Sequence, residues 1–229
     1  MFEEFLVELR QHNKIDIKYK DESLLMKNLN KVVGIFAKDF MTKFTTTIGS
    51  TVYFPSRKFV KENEFVSVQI LAHEYVHILD SKKHKSFSIS YLFPQILALL
   101  SLLTIPVVLI YGSIGWLFLL FLIMLAPFPA YWRMKWEARG YEMSIFVIYN
   151  ILKKRTLETD SRKNFIENTL NVVAEDINEK SFEGWSYYKM WPWGIQGRLS
   201  NQISKFISGD ISETDEAYKH VQDALDKVL

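Results

Sequence analysis

No Asp, Glu, Lys or Arg occurs between Lys85 and Arg133. The gap is 47 residues long, and 34 of them are hydrophobic. A run of this length without charge is the mark of a membrane segment, so a plain soluble globule is excluded. The remaining 182 residues are about 30% charged, an ordinary soluble composition, which also excludes a wholly membrane-embedded chain. Tyr91 to Tyr111 gives 21 residues, about 31 Å as a helix. Gly112-Ser113-Ile114-Gly115 reads as a turn, and Trp116 to Trp132 gives 17 more residues. The expectation is therefore two transmembrane helices joined by a short turn, with a hairpin over residues 90–132. A shallower re-entrant hairpin and a hairpin buried in a soluble core are the alternatives. Pro94, Pro106, Pro127 and Pro129 should kink or trim these helices. Tyr91, Trp116, Tyr131 and Trp132 fall near the expected interfaces.

Lys82, Lys83 and Lys85 precede the hairpin, and Arg133, Lys135 and Arg139 follow it. Both flanks are basic, which predicts a multi-pass protein of two spans with its N- and C-terminal parts cytoplasmic. The same lysines suit anionic lipid. The acidic start Met1-Phe2-Glu3-Glu4 does not read as a cleaved signal peptide. Net charge is +2, so no nucleic-acid partner is expected. The chain has no cysteine. Disulfides, thiolate metal sites and cysteine nucleophiles are thereby excluded, and any metal must be held by His, Asp or Glu.

Around the gap the chain is mainly helical by pattern. Residues 1–40 predict two helices with a break near Asn13 to Asp21. Residues 44–54 are β-branched and aromatic, predicting one strand or a hairpin around Gly49-Ser50. Helices are expected over 62–83, 133–155, 162–178, 196–208 and 213–229, the last capped by Ser212 or Thr214. An aromatic cluster spans 182–193, with Trp185, Tyr187, Tyr188, Trp191 and Trp193; it would pack on the core, line a cleft or meet the membrane. The predicted organisation is a domain over 1–155, interrupted by the hairpin, and a helical region over 156–229 that packs on it.

The sharpest motif is His73-Glu74-Tyr75-Val76-His77 in an apolar frame. On a helix, residues four apart share a face, so His73 and His77 can aim at one metal ion. Glu74 points off that axis, where it can reach a water at the metal without ligating it. A catalytic zinc needs a third protein ligand. The next histidine after His77 is His84, with no glycine between them, so a distant carboxylate is required. The hairpin returns the chain to the same membrane face, and the first acidic residue there is Glu137. Glu142 competes, but it lies about 140° further round the helix. Asp80 is either a supporting partner for His77 or a helix-end carboxylate. His220, Tyr141, Tyr187 and Tyr188 are candidate donors to a developing oxyanion.

His73-Glu74-x-x-His77 followed by a glutamate on a later helix resembles the gluzincin class of zinc metallopeptidases. The membrane insertion between motif and glutamate resembles its integral-membrane branch, the CaaX prenyl proteases and their bacterial heat-shock homologues. Two departures stand out: Gly140 and Tyr141 replace an Ala-Asp pair, and residues 1–70 hold no membrane span. The resemblance implies an α+β zincin-like fold, with residues 46–54 in the place of the substrate-binding edge strand. It implies Zn²⁺ on His73, His77 and Glu137, Glu74 as general base, and a protein or peptide substrate. Its rival from another class is a catalytically inactive zincin-like membrane scaffold.

Overall fold

The computed structural model describes residues 1–36, 38–125, 130–155, 161–181, 194–210 and 215–229. The described residues are mainly helical, with one small sheet. The helices are α1 (Phe2–His12), α2 (Leu24–Phe36), α3 (Arg57–Glu62), α4 (Glu64–Lys83), α5 (Phe87–Leu92), α6 (Thr104–Tyr111), α7 (Tyr131–Arg155), α8 (Ser161–Ser181), α9 (Gln196–Ser208) and α10 (Glu216–Val228). The strands are β1 (Asp16–Tyr19), β2 (Thr46–Ile48) and β3 (Thr51–Phe54).

The sheet order is β1-β3-β2. β2 and β3 form the hairpin, with Gly49 at φ +61° in its turn. β1 pairs parallel to β3, Asp16 opposite Thr51 and Tyr19 opposite Phe54. This strand lies in the stretch expected to be only a break between helices. Its four residues carry little local signal; β3 holds them by cross-strand pairing.

α4 is buried round much of its circumference, which is why its apolar residues are not confined to one stripe. Leu71, Ala72 and Tyr75 are fully enclosed. One continuous core joins α1, β3, α4, α7, α8, α9 and α10, through Phe5, Leu9, Phe54, Leu71, Phe146, Leu170, Leu199, Phe206 and Val221. Each such leucine or phenylalanine contributes about 1.5–3 kcal/mol by burial. The C-terminal helices thus complete the core that surrounds the motif helix. The amino group of Met1 and the Phe2 amide both meet Glu64 at the start of α4. α10 is capped by Asp215, whose Oδ1 accepts from the Ala217 amide at 3.0 Å. The expected caps Ser212 and Thr214, like the aromatic cluster at 182–193, lie outside the described residues.

The uncharged run is more broken than expected. Tyr91 belongs to short α5, and the apolar stretch proper begins at Gln95. It runs as a 3₁₀ segment (Gln95–Leu103), α6 and a second 3₁₀ segment (Gly112–Leu125). Tyr131 and Trp132, assigned to the second span by sequence, begin α7 instead. By length and composition one helical stretch, Gln95–Met124, qualifies to cross a membrane among the described residues; two separate spans are not shown. Only 6% of its most apolar window is buried, so it does not lie in the core formed by the described residues. Gly112 sits at φ +68°, and the following segment packs on the preceding ones. Gly115 lies directly on Val108, where a Cβ would come within 2.4 Å of the Val108 amide nitrogen.

Candidate metal centre

α4 packs along α7, and this pairing brings the motif histidines to Glu137. His73, His77 and Glu137 are all buried. His73 Nε2 is 3.2 Å from Glu137 Oε2, His77 Nε2 is 3.8 Å from the same oxygen, and the two imidazole nitrogens are 3.1 Å apart. These separations define a circle of radius about 2.0 Å, which matches bonds of about 2.0–2.2 Å from a divalent metal to imidazole nitrogen and carboxylate oxygen. The group therefore fits a metal ion in both donor type and spacing.

The three groups are electrostatically coupled. Burial alone would raise the Glu137 carboxyl, but hydrogen bonds and charge from His73 and His77 outweigh it and hold the group well below the ordinary carboxylate value. Burial lowers the His77 imidazole, yet the Glu137 hydrogen bond and the charges of Glu137, Glu74 and Asp80 raise it overall. Both shifts express one attraction: a desolvated anion drawing positive charge toward the histidine nitrogens.

Glu142, the competing carboxylate, is turned elsewhere. Arg198 donates to both of its oxygens, with Nη2 3.1 Å from Oε2. Glu137→Ala should therefore abolish tight metal binding. Glu142→Ala should leave it intact and cost at most about 1 kcal/mol of stability, since it removes a partly exposed ion pair. Isothermal titration of each variant with zinc checks both.

Glu74 is held by the hairpin: Thr47 Oγ1 donates to its Oε2 at 2.7 Å. Lys20, fully buried at the end of β1, donates from Nζ to the Phe40 carbonyl at 2.7 Å. Burial pushes its pKa down to about 8, against the raising influence of the Glu74 charge. Asp80 pairs with Arg139, Oδ1 to Nη1 at 2.8 Å, and Arg139 reaches on to Asp215 at 3.0 Å. It therefore ties α4 to α7 and to the cap of α10. Burial raises the Asp80 carboxyl, with the Arg139 charge opposing. Asp80 Oδ2 and His77 Nδ1 are both buried with no hydrogen-bond partner among the described residues.

The oxyanion candidates separate. His220 Nδ1 lies 2.7 Å from the Tyr75 hydroxyl and its ring stacks on His12. Tyr75 is about 200° round α4 from His73, so His220 is on the wrong side of the helix. Tyr141 packs edge-on against His73, ring centres 4.8 Å apart. Tyr187 and Tyr188 are outside the described residues.

Two contacts were not foreseen. The His73 ring lies directly over Gly140, one helical turn beyond Glu137; a Cβ there would come within 2.5 Å of His73 Nε2. The Tyr91 hydroxyl donates to Glu137 Oε1. Sequence gives Gly140 only as a departure from a family pattern and Tyr91 only as an interfacial aromatic. Comparison with known protein families, curated proteins and solved structures gives no match.

Proposed function

We propose that the chain is a membrane-anchored zinc endopeptidase of gluzincin type, cleaving protein or peptide substrates at the cytoplasmic membrane surface. The observation that carries this reading is the buried convergence of His73, His77 and Glu137, with Glu74 adjacent in sequence to the first of them. Zinc on these three residues would supply a Lewis acid and bring the pKa of water at the site toward neutrality. Glu74 takes the proton of the attacking water and delivers it to the leaving amine. Thr47 fixes the orientation of that carboxylate through one oxygen. Among the described residues β2 is an edge of the sheet, paired with β3 alone, and such an edge suits pairing with an extended peptide.

The apolar run supports a membrane hairpin of two spans. Gln95–Tyr111 and Gly112–Leu125 are each about 28–30 Å long at the rises of their helical types, close to the thickness of a hydrocarbon core. Leu102, Ile105, Leu109, Leu120 and Ile123 are exposed and need an apolar surrounding. Lys82, Lys83 and Lys85 on one flank and Lys135 on the other favour cytoplasmic ends.

Purified full-length protein in detergent is expected to cleave unstructured peptides, to stop when a chelator strips the metal, and to recover on zinc addition. A protein that binds zinc but cleaves nothing would be the inactive scaffold. Cleavage that persists through chelation would remove zinc from the mechanism.

A further inference from the structure

Glu137 offers two oxygens, and the surroundings treat them differently. Oε2 faces His73 Nε2 and His77 Nε2. Oε1 accepts the hydroxyl proton of Tyr91. Tyr91 is itself anchored. Arg133 Nε donates to its carbonyl at 2.9 Å, and the Arg133 guanidinium lies over its ring. A neighbouring contact holds the same helix: Trp136 Nε1 donates to Ser90 Oγ at 3.0 Å. Phe87 and Tyr91 both lie against the His77 ring, with centres 6.0 and 6.1 Å away. α5 is thus fastened to the first turns of α7, and its phenol meets the carboxylate oxygen that does not face the imidazole nitrogens.

We propose that Tyr91 is a positioning residue that makes Glu137 a one-oxygen ligand, occupying Oε1 so that only Oε2 meets the metal. The inference rests on the metal-centre reading and adds to it. A carboxylate free to rotate can bind a metal through both oxygens, which fills the position a catalytic site must leave open for water. A hydrogen bond to the second oxygen removes that option, and such outer partners typically govern metal affinity by about 10–100-fold. The arrangement also ties the metal ligand to the segment that leads into the apolar run, so α5 fixes the centre at the neck of that run.

The test uses the full-length protein and two variants, Tyr91→Phe and Ser90→Ala. Phenylalanine keeps the ring and removes the hydroxyl. Ser90→Ala breaks the neighbouring α5–α7 hydrogen bond without touching Glu137. Zinc affinity is measured by competition with a chromophoric chelator, and the coordination number by the visible spectrum of the cobalt-substituted protein. Tyr91→Phe is expected to weaken zinc about 10–100-fold and to convert an intense four-coordinate cobalt spectrum into a weaker five-coordinate one. Ser90→Ala should leave both near native. Equal effects in the two variants would reduce Tyr91 to a helix-packing residue and overturn the inference, as would a native cobalt spectrum in Tyr91→Phe. Failure of the native protein itself to bind zinc would instead remove the metal centre, and the inference with it.

Discussion

Glu74→Gln is expected to keep its metal and to lose about 10²- to 10⁴-fold in kcat/KM for peptide hydrolysis, the usual contribution of a positioned general base. In energy this is about 3–5 kcal/mol of transition-state stabilisation. The substitution is close to isosteric, and its carbonyl can still accept from Thr47 Oγ1, which holds the native side chain at 2.7 Å. Glu74 is not among the three converging ligand atoms, so zinc affinity should stay native. Stopped-time cleavage assays with zinc titration on one preparation separate the two effects. Full turnover in the variant would refute the role given to Glu74; loss of zinc would make it a ligand.

Gly140→Ala should have an effect of comparable size by a different route. The added methyl would sit 2.5–2.7 Å from the Nε2, Cε1 and Cδ2 atoms of His73, and it has no flexible neighbour to push aside. The ring is boxed in by Tyr141 at 4.8 Å and His77 at 4.9 Å, with Ser144 Oγ 3.5 Å from Nδ1. His73 must therefore leave its place, and a misplacement of about 1 Å at a reacting centre costs about 10²-fold in rate. Alanine is meanwhile the better helix former by about 0.5–1 kcal/mol. Overpacking of a closed site costs about 1–3 kcal/mol, more than the helix gain returns, so the expected signature is a variant somewhat less stable without metal that binds zinc about 10–100-fold more weakly and cleaves correspondingly slowly. Thermal melts with and without zinc read both quantities. Native zinc affinity in Gly140→Ala would show that His73 is not held where a ligand must be.

Local pattern was enough for much of the architecture. The spacing of His73 and His77 gave a shared helix face, and the apolar rhythms of α7, α9 and α10 gave their extents to within a few residues. Glu137 was reachable on the expectation of a hairpin that leaves and returns on one side and so brings its ends together; α4 does pack along α7, but two separate spans are not shown. Features set by tertiary contact were not legible. β1 is four residues in a polar stretch, and only β3 makes it a strand. The short α3 escaped for lack of length; its cap, Ser56 accepting from the Phe59 amide, is visible only once the chain is folded. The uncharged run read as two α-helices with a turn at Gly112–Gly115; the 3₁₀ form of Gln95–Leu103 and Gly112–Leu125 was not legible. Gly140 and Tyr91 matter through single close approaches between distant segments, and no periodicity encodes those.

The proposed function depends on metal binding by His73, His77 and Glu137. Elemental analysis of the purified full-length protein tests it most directly. About one zinc per chain is expected, absent from a folded His73→Ala variant. A native protein that stays free of metal after dialysis against zinc would contradict it.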